Sequence, residues 1–495
     1  MSTTAPATAI RLQQTSAETS NRWLVLVIAC LAQFMVVLDA TIVNVALPSI
    51  QHGLNFSASS LQWVVNAYTL IFGGFLLLGG RAADLLGRKR LFMAGIALFS
   101  FASLLNGLAQ SSTMLIVGRG LQGLGGALLS PAALSIITTT FTDTTERTKA
   151  LGVWSAIAAG GGAVGLLLGG ALTDLASWPW IFIVNVPVGV IALLLALRYV
   201  PESRADVTHR SFDLAGAVTV TAGLVVLVYG IVKAQSFGWG SPKTIGLMVG
   251  GIALLGLFVL IEQRSKAPLM RLSIFRVRTL AVADVVLLLV ASGMFGMFFF
   301  ASLYVQEILG YSPLKAGLAF LPVSLGIIIG AGIAQSAIKR LGVRNLTAIG
   351  LALASAGLLY LTRVPVHGHY VSDLLVGLLP MAIGMGLVFV PITLLGTSGV
   401  SNDDAGLASG LFNSAQQIGG SFGLAILATL AVDHTGSLLR QGGTSQVAAT
   451  VSGYHVAFLA AAIMIGAGAV LLVGLLRRRH VAGLDLDSPA VPAAV

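Results

Sequence analysis

An all-α membrane protein is predicted, with fourteen spanning helices in two six-helix halves and an inserted pair. Three observations lead there. Hydrophobic residues make up 56% of the 495 positions and charged residues only 9%, against about 25% charged in soluble chains. Apolar runs of about 20 residues recur from end to end, each long enough to cross a bilayer. Similar loops also return one half-chain apart: "LLGRKRLF" follows the second run and "RLGVRNLT" the tenth. Helices are expected because a segment in hydrocarbon must satisfy its own backbone groups.

The runs fall at 23–45, 61–80, 91–109, 113–137, 149–172, 180–198, 213–232, 244–263, 280–304, 313–335, 345–363, 372–396, 405–432 and 455–476. Residues 1–22 read as a polar cytoplasmic tail and 23–198 as the first six-helix half. A cytoplasmic linker, 199–212, leads to the inserted pair, 213–263; the second half is 280–476 and a second tail 477–495. Of the 28 Lys and Arg, 22 lie in segments on the side of the N-terminus, 5 on the other side, and Arg119 within a span. That asymmetry places both termini in the cytoplasm. Parallel halves of this kind are a transporter signature, with substrate bound between them near the midplane.

The first span carries "LDATIVNVALP", 38–48. An ionised carboxylate at the centre of hydrocarbon costs about 2.5–3.5 kcal/mol on insertion scales, so Asp39 needs a partner. The fourth span carries "GRGLQGLGGA", 118–127. At 1.5 Å per residue, Asp39 and Arg119 each lie about 9 Å from the same membrane face. They are expected to meet, directly or through water or Gln122. Proton coupling or gating is one reading of the pair, and a static structural pair the other. Gln33, Thr41 and Asn44 share a second polar edge of span 1, away from Asp39, and one of the two edges faces the cavity.

In "GGRAADLLGRKRLF", 79–92, Asp84 precedes Gly87 and Arg88 in a very short loop. Glycine permits the tight turn; the acid suits a conformational latch, and the plain alternative is a basic inner loop that only sets topology. Span 5, "GVWSAIAAGGGAVGLLLGGAL", places Gly161, Gly165 and Gly169 four apart, which lets helices approach closely. It suits plain packing and a shifting helix equally. Asp284, near the start of span 9, is open to two readings: a cap or snorkelling group, or a second proton site. Asn413 and Gln416, in "AGLASGLFNSAQQIGG", belong to the cavity or to helix packing. The Phe-rich "GMFGMFFFASLY", 293–304, either walls the cavity or faces lipid.

Several classes are excluded or disfavoured. The net charge of +10 lies in short loops, which argues against nucleic acid. No Gly-Lys-Ser/Thr phosphate loop or nucleophile elbow occurs, so neither an ATP motor nor an enzyme is expected. The single Cys30 rules out an internal disulfide. The histidines show no metal spacing, and no cofactor is expected.

Together, "LDATIVNVALP", "GRAADLLGRKR", "RGLQGLGGA" and "NDDAGLASGLFNSAQQIGG" resemble the motifs of the fourteen-helix drug:proton antiporter branch of the major facilitator superfamily. The likeness covers essentially residues 23–476 and implies the major facilitator fold. It also implies proton-driven export of drugs or antibiotics across the cytoplasmic (inner) membrane of a bacterium. On that likeness the first-helix acid is Asp39, the loop acid Asp84 and the fourth-helix arginine Arg119. The antiporter glycines are Gly161, Gly165, Gly169 and Gly170. Two positions depart from the pattern. Leu166 stands where the family usually has proline, which should remove a kink. Pro179 replaces an arginine at the start of span 6.

The leading expectation is an exporter of small amphipathic molecules in exchange for protons, working as a monomer in the lipid bilayer. The alternatives are a dedicated metabolite exporter or a proton-coupled importer of the same fold, since fold does not fix direction. A transport-inactive membrane sensor is the reading from a different class. Which substrate is carried, and how many protons move, lies beyond the sequence.

Overall fold

The computed structural model describes residues 6–204, 213–265, 268–397, 400 and 404–477. The second half of the expected linker, most of the C-terminal tail and Asp403 lie outside the described residues. Among the described residues, fourteen helices are long and apolar enough to cross a membrane. In chain order they are α1 (Arg22–Leu54), α2 (Ala58–Leu86), α3 (Arg88–Gly107), α4 (Ser112–Thr140), α5 (Thr145–Leu175), α6 (Trp180–Tyr199) and α7 (Leu214–Phe237). They continue as α8 (Pro242–Arg264), α9 (Arg278–Ile308), α10 (Pro313–Leu341), α11 (Val343–Leu361), α12 (Tyr370–Thr397), α13 (Gly406–Gln441) and α14 (Gln446–Leu475).

Each overlaps one expected span, and most run further than the apolar pattern. The helix of α1 already begins at Pro6, so residues expected as a tail continue it. Short polar side chains set several starts. Ser57, Ser111, Asp143, Asp213, Ser241, Ser312 and Ser445 each accept a backbone N–H of the first turn, which satisfies donors that have no partner within the helix. Ser445 starts α14 at Gln446 instead of 455. Thr450, Ser452 and His455 dilute the apolar run there.

The two halves repeat one packing plan. In the first, α1 packs on α4, α5 and α6, α2 on α4, and α3 on α4 and α6. In the second, α9 packs on α12, α13 and α14, α10 on α12, and α11 on α12 and α14. Moving eight helices along the chain turns each pairing into its counterpart. The halves meet through α2 with α13 and α5 with α10, contacts that the same shift exchanges. The inserted α7 and α8 pack on each other, and α7 lies against α2 and α13.

The contact between the halves varies with depth. The terminal face is the one from which α1 starts and at which α14 ends; the other is the opposite face. Near the opposite face the halves are closed. Ser302 Oγ donates to the Asn44 carbonyl at 2.7 Å, Gln306 Nε2 to the Val45 carbonyl at 2.9 Å, and Ser312 Oγ to Asp174 at 2.9 Å. A Cβ at Gly170 would sit 2.5 Å from the Pro313 carbonyl oxygen, and one at Gly317 2.5 Å from that of Leu166. Toward the terminal face, a Cβ at Gly152, Gly160 or Gly332 would meet nothing within 4 Å. So the tight glycine contacts between α5 and α10 lie toward the opposite face.

That contrast predicts a difference in stability. Gly317→Leu forces a side chain into the α5 backbone and should cost about 1–3 kcal/mol, the usual range for overpacking. Gly332→Leu meets open space and should be close to neutral. Thermal melting of the two purified variants checks this. Equal melting temperatures would show that the α5–α10 contact does not hold this form.

Candidate functional site

The chemistry centres on α1 and α4. Asp39 is 0% exposed and Arg119 1%. Arg119 Nη1 donates to Asp39 Oδ2 at 2.5 Å and to Gln122 Oε1 at 2.7 Å. Gln122 Nε2 donates to Asp39 Oδ1 at 2.7 Å, so the glutamine bridges both partners. From α3, Asn106 Nδ2 donates to Gln122 Oε1 at 2.7 Å, and Ser103 Oγ accepts from Gln122 Nε2 at 2.8 Å. From α6, Asn185 Nδ2 reaches Asp39 Oδ1 at 3.3 Å. From α2, the Val64 carbonyl accepts from Arg119 Nε at 2.9 Å, and the Tyr68 ring covers the guanidinium at 4.4 Å. Five of the six helices of the first half therefore converge on one buried ion pair.

The glycines around Arg119 make that convergence possible. A Cβ at Gly118 would strike Asn106 Oδ1, one at Gly123 the Tyr68 carbonyl, and one at Gly125 would lie 2.6 Å from the Phe99 nitrogen. Because α4 lacks side chains there, α2 and α3 come close enough for their polar groups to reach Arg119 and Gln122. "RGLQGLGG", 119–126, thus supplies both the charge and the space for its partners.

A cavity of about 120 Å³ lies between the halves. Val36, Val37, Ala40, Thr41 and Asn44 of α1 and Val65, Tyr68 and Phe72 of α2 form one wall. Met294, Phe295 and Phe298 of α9 with Gln416 and Gln417 of α13 form the other. The wall is aromatic and aliphatic with a few amide and hydroxyl groups, as in sites for small organic molecules, although such sites usually span about 300–1,000 Å³. Among the described residues no charged side chain lines it. The Phe-rich stretch of α9 thus faces the cavity through these residues.

Other candidates are placed differently. Thr41 and Asn44 line the cavity, but Gln33, expected on the same edge, is buried and accepts from Ser130 Oγ at 2.9 Å. Asn413 Nδ2 bonds the Ser409 carbonyl of its own helix at 2.8 Å and does not line the cavity, unlike Gln416. Gly161, Gly165 and Gly169 press on α1: a Cβ would meet Val37, Thr41 Oγ1 and the Ile42 carbonyl in turn. Gly170 faces α10 instead. Asp284 is 7% exposed, and neither carboxylate oxygen has a hydrogen-bond partner among the described residues. It neither caps α9 nor snorkels, because its place on the helix turns it into the protein interior.

Asp84 accepts from Arg88 Nη2 at 2.9 Å, one turn away across Gly87, whose φ of 113° favours glycine. The loop is tied to the end of α6 and the start of the linker that follows it. The Arg88 N–H donates to the Ser203 carbonyl at 2.9 Å, Lys89 Nζ to that of Leu197 at 2.8 Å, and Arg90 pairs with Glu202 at 3.5 Å. The outer histidines bond protein groups: His434 pairs with Ser452 and His455 with the Val364 carbonyl. Among the described residues no group of three or more His, Cys, Asp or Glu could hold a metal ion.

Sequence reasoning missed Ser103, Asn106, Asn185 and Tyr68. The two asparagines carried a signal, being amides within apolar runs that must find partners. Ser103 and Tyr68 carried none that sets them apart from ordinary span residues.

Comparison with known proteins fits this geometry. Residues 29–424 match the Major Facilitator Superfamily. The chain is 42% identical to the puromycin resistance protein pur8 of Streptomyces alboniger, over 96% of this chain and 95% of that one. It is 39% identical to the cephamycin export protein CmcT of Amycolatopsis lactamdurans, over 92% and 93%. In structure it resembles a bacterial homolog of the human lysosomal transporter Spinster in an inward-facing, occupied conformation. That likeness has a TM-score of 0.66 and 17% identity and covers 92% of this chain and 96% of that one; it concerns the fold alone.

The pair makes a prediction about stability. Removing one member of a buried ion pair strands the other, at a cost of about 3–5 kcal/mol. Asp39→Ala and Arg119→Ala should each destabilise the purified protein on that scale. The double variant should lose clearly less than the sum of the two, since neither charge is left alone. Additive losses in a double-mutant cycle would show that the two side chains are not energetically paired.

Proposed function

Because this chain belongs to the major facilitator superfamily, we propose that it exports small amphipathic drugs or antibiotics across the cytoplasmic membrane of a bacterium, driven by inward-moving protons. The observation that carries this reading is the buried Asp39–Arg119 pair set behind an uncharged, aromatic cavity between two halves. A carboxylate in hydrocarbon that can either hold a proton or pair with an arginine is a proton carrier with two states. The cavity offers ring faces, methionine and amides, which suit molecules that are partly apolar and partly hydrogen-bonding.

On this reading the terminal face is cytoplasmic, in keeping with the asymmetry of Lys and Arg. The form closed at the opposite face then receives substrate from inside. Alternating access is the rocking of one half against the other around the cavity. Asp284 is a second proton site in the other half. The Asp84 loop is a latch that leaves Arg88 for the second half when the protein opens outward. Asp84→Asn should then slow turnover more than binding. Crosslinking between α2 and α13 near the terminal face reads the shift toward the inward-open form, and unchanged crosslinking would count against the latch.

A narrower reading, a dedicated exporter of one natural product, is favoured by relatives named for single compounds. They include the puromycin and cephamycin proteins and a tetracenomycin C resistance and export protein of Streptomyces glaucescens. Resistance to a panel of unrelated drugs separates the two.

The central test uses a drug-sensitive bacterial host. Expression should raise resistance to puromycin several-fold, and an uncoupler should abolish the accompanying efflux. Asp39→Asn should return resistance to the level of the host while the protein remains in the membrane. Undiminished efflux from Asp39→Asn at matched expression would falsify the proton-carrier role.

A further inference from the structure

Neither Asp39 nor Arg119 lines the cavity, so a substrate seated there does not touch the ion pair. One side chain belongs to both places. The Tyr68 ring lies over the Arg119 guanidinium, 4.4 Å from Cζ to the ring centroid, and is also part of the cavity wall. It stacks on Phe72, another wall residue, at 5.7 Å and 8°. Its hydroxyl is buried and has no hydrogen-bond partner among the described residues. Phenylalanine at the same place would avoid that cost. The ring is therefore held by packing and by its contact with the guanidinium, and no hydrogen bond of its hydroxyl stops it from tilting.

The groups around Asp39 leave few other routes. Arg119 faces it from α4 and Tyr68 lies nearby from α2; these are the charged and titratable neighbours in the network. Gln122, Asn106, Ser103 and Asn185 are neutral amides and a hydroxyl. A ring face attracts a guanidinium through its quadrupole, so where the ring sits bears directly on where Arg119 sits.

We propose that Tyr68 is the positioning residue that couples the substrate cavity to the Asp39–Arg119 pair. A substrate seated against the cavity wall presses the ring onto the guanidinium and holds Arg119 on the Asp39 carboxylate. The proton that Asp39 carried leaves to bulk water. With the cavity empty the ring relaxes, the grip of Arg119 loosens, and Asp39 takes up a proton. The two ligands compete without touching, through one aromatic ring. This rests on the proton-coupled export reading above.

Linkage supplies the test, since protons that weaken drug binding must themselves be displaced by the drug. Puromycin affinity is measured on purified full-length protein at about pH 5 and about pH 9, and the ratio is compared with that of Asp39→Asn, with about a tenfold excess expected for the unsubstituted protein. The Asp39→Asn reference removes whatever the titration of the drug itself contributes. Tyr68→Phe keeps the ring and should keep the excess. Tyr68→Leu, and Tyr68→Met as a bulkier replacement should leucine fold poorly, should lose it. Because the readout is a ratio, a uniform loss of affinity or of folded protein does not change it. An excess retained in Tyr68→Leu or Tyr68→Met overturns the proposal. So does an excess lost in Tyr68→Phe, or a total loss of binding in the leucine and methionine variants alone, which would make Tyr68 a binding residue only. If the unsubstituted protein binds no puromycin, or shows no excess over Asp39→Asn, the export or proton-carrier reading itself fails.

Discussion

The interaction on which the rest depends is the pair between Asp39 and Arg119, sealed from solvent in the first half. Such a pair gives little net stability, because the desolvation of two charges roughly offsets their attraction. Its influence is on arrangement. Both partners need further hydrogen bonds, and these come from the α2 backbone, from α6 and from Gln122 of α4, which α3 holds in turn through Asn106 and Ser103. Supplying them requires helix backbones to come close, and that requires Gly118, Gly123 and Gly125. The charge and the small residues are consequences of one constraint.

The same reasoning explains what could be read from the sequence. The spans follow from runs of apolar residues, and the Asp39–Arg119 contact from two charges at equal depth that hydrocarbon forces together. The cavity was legible only in part. Thr41 and Asn44 point into it, but Gln33 on the same helical edge turns to Ser130 of α4. The cavity opens only along part of α1, and periodicity says nothing about where a neighbouring helix stops covering an edge. Asn413 and Gln416 differ for a similar reason: three residues apart on one helix, only one faces the gap between the halves. Asp284 stayed open between two readings in the sequence, because nearness to a helix end does not say whether packing buries the side chain, as it does here. Tyr68 was invisible, since its role depends on what lies beside the ring.

The repeated packing plan gives these local features a larger frame. The pairings of the first half recur in the second after a shift of eight helices, yet among the described residues the ion-pair network has no equivalent there. The buried positions of α9 are mostly apolar, with Asp284 the charged one and Thr279, Ser292 and Ser302 the hydroxyl ones. Both halves have apolar cores, but among the described residues the buried charge network belongs to the first. The cavity lies at their junction, with its wall on the first half formed by residues adjoining the network.

Among the helices of the first half, α5 stands apart. Hydrogen bonds and charge tie α1, α2, α3, α4 and α6 to one another, and such contacts tolerate little displacement. Helix α5 meets α1 through Gly161, Gly165 and Gly169, a seam of van der Waals contact without angular demands. Its polar tie to α1 is the ion pair of Arg22 and Glu146 at 3.1 Å, with both side chains about a third exposed, where such pairs contribute little. The other side of α5 rests on α10 of the second half near the opposite face. Its helix runs unbroken from Thr144 to Leu175, through Leu166, where a proline would have provided a bend. A rocking motion that parts α5 from α10 therefore cannot draw on a proline hinge here. The glycine seam beside α5 is the boundary of the first half that no hydrogen bond of the network crosses.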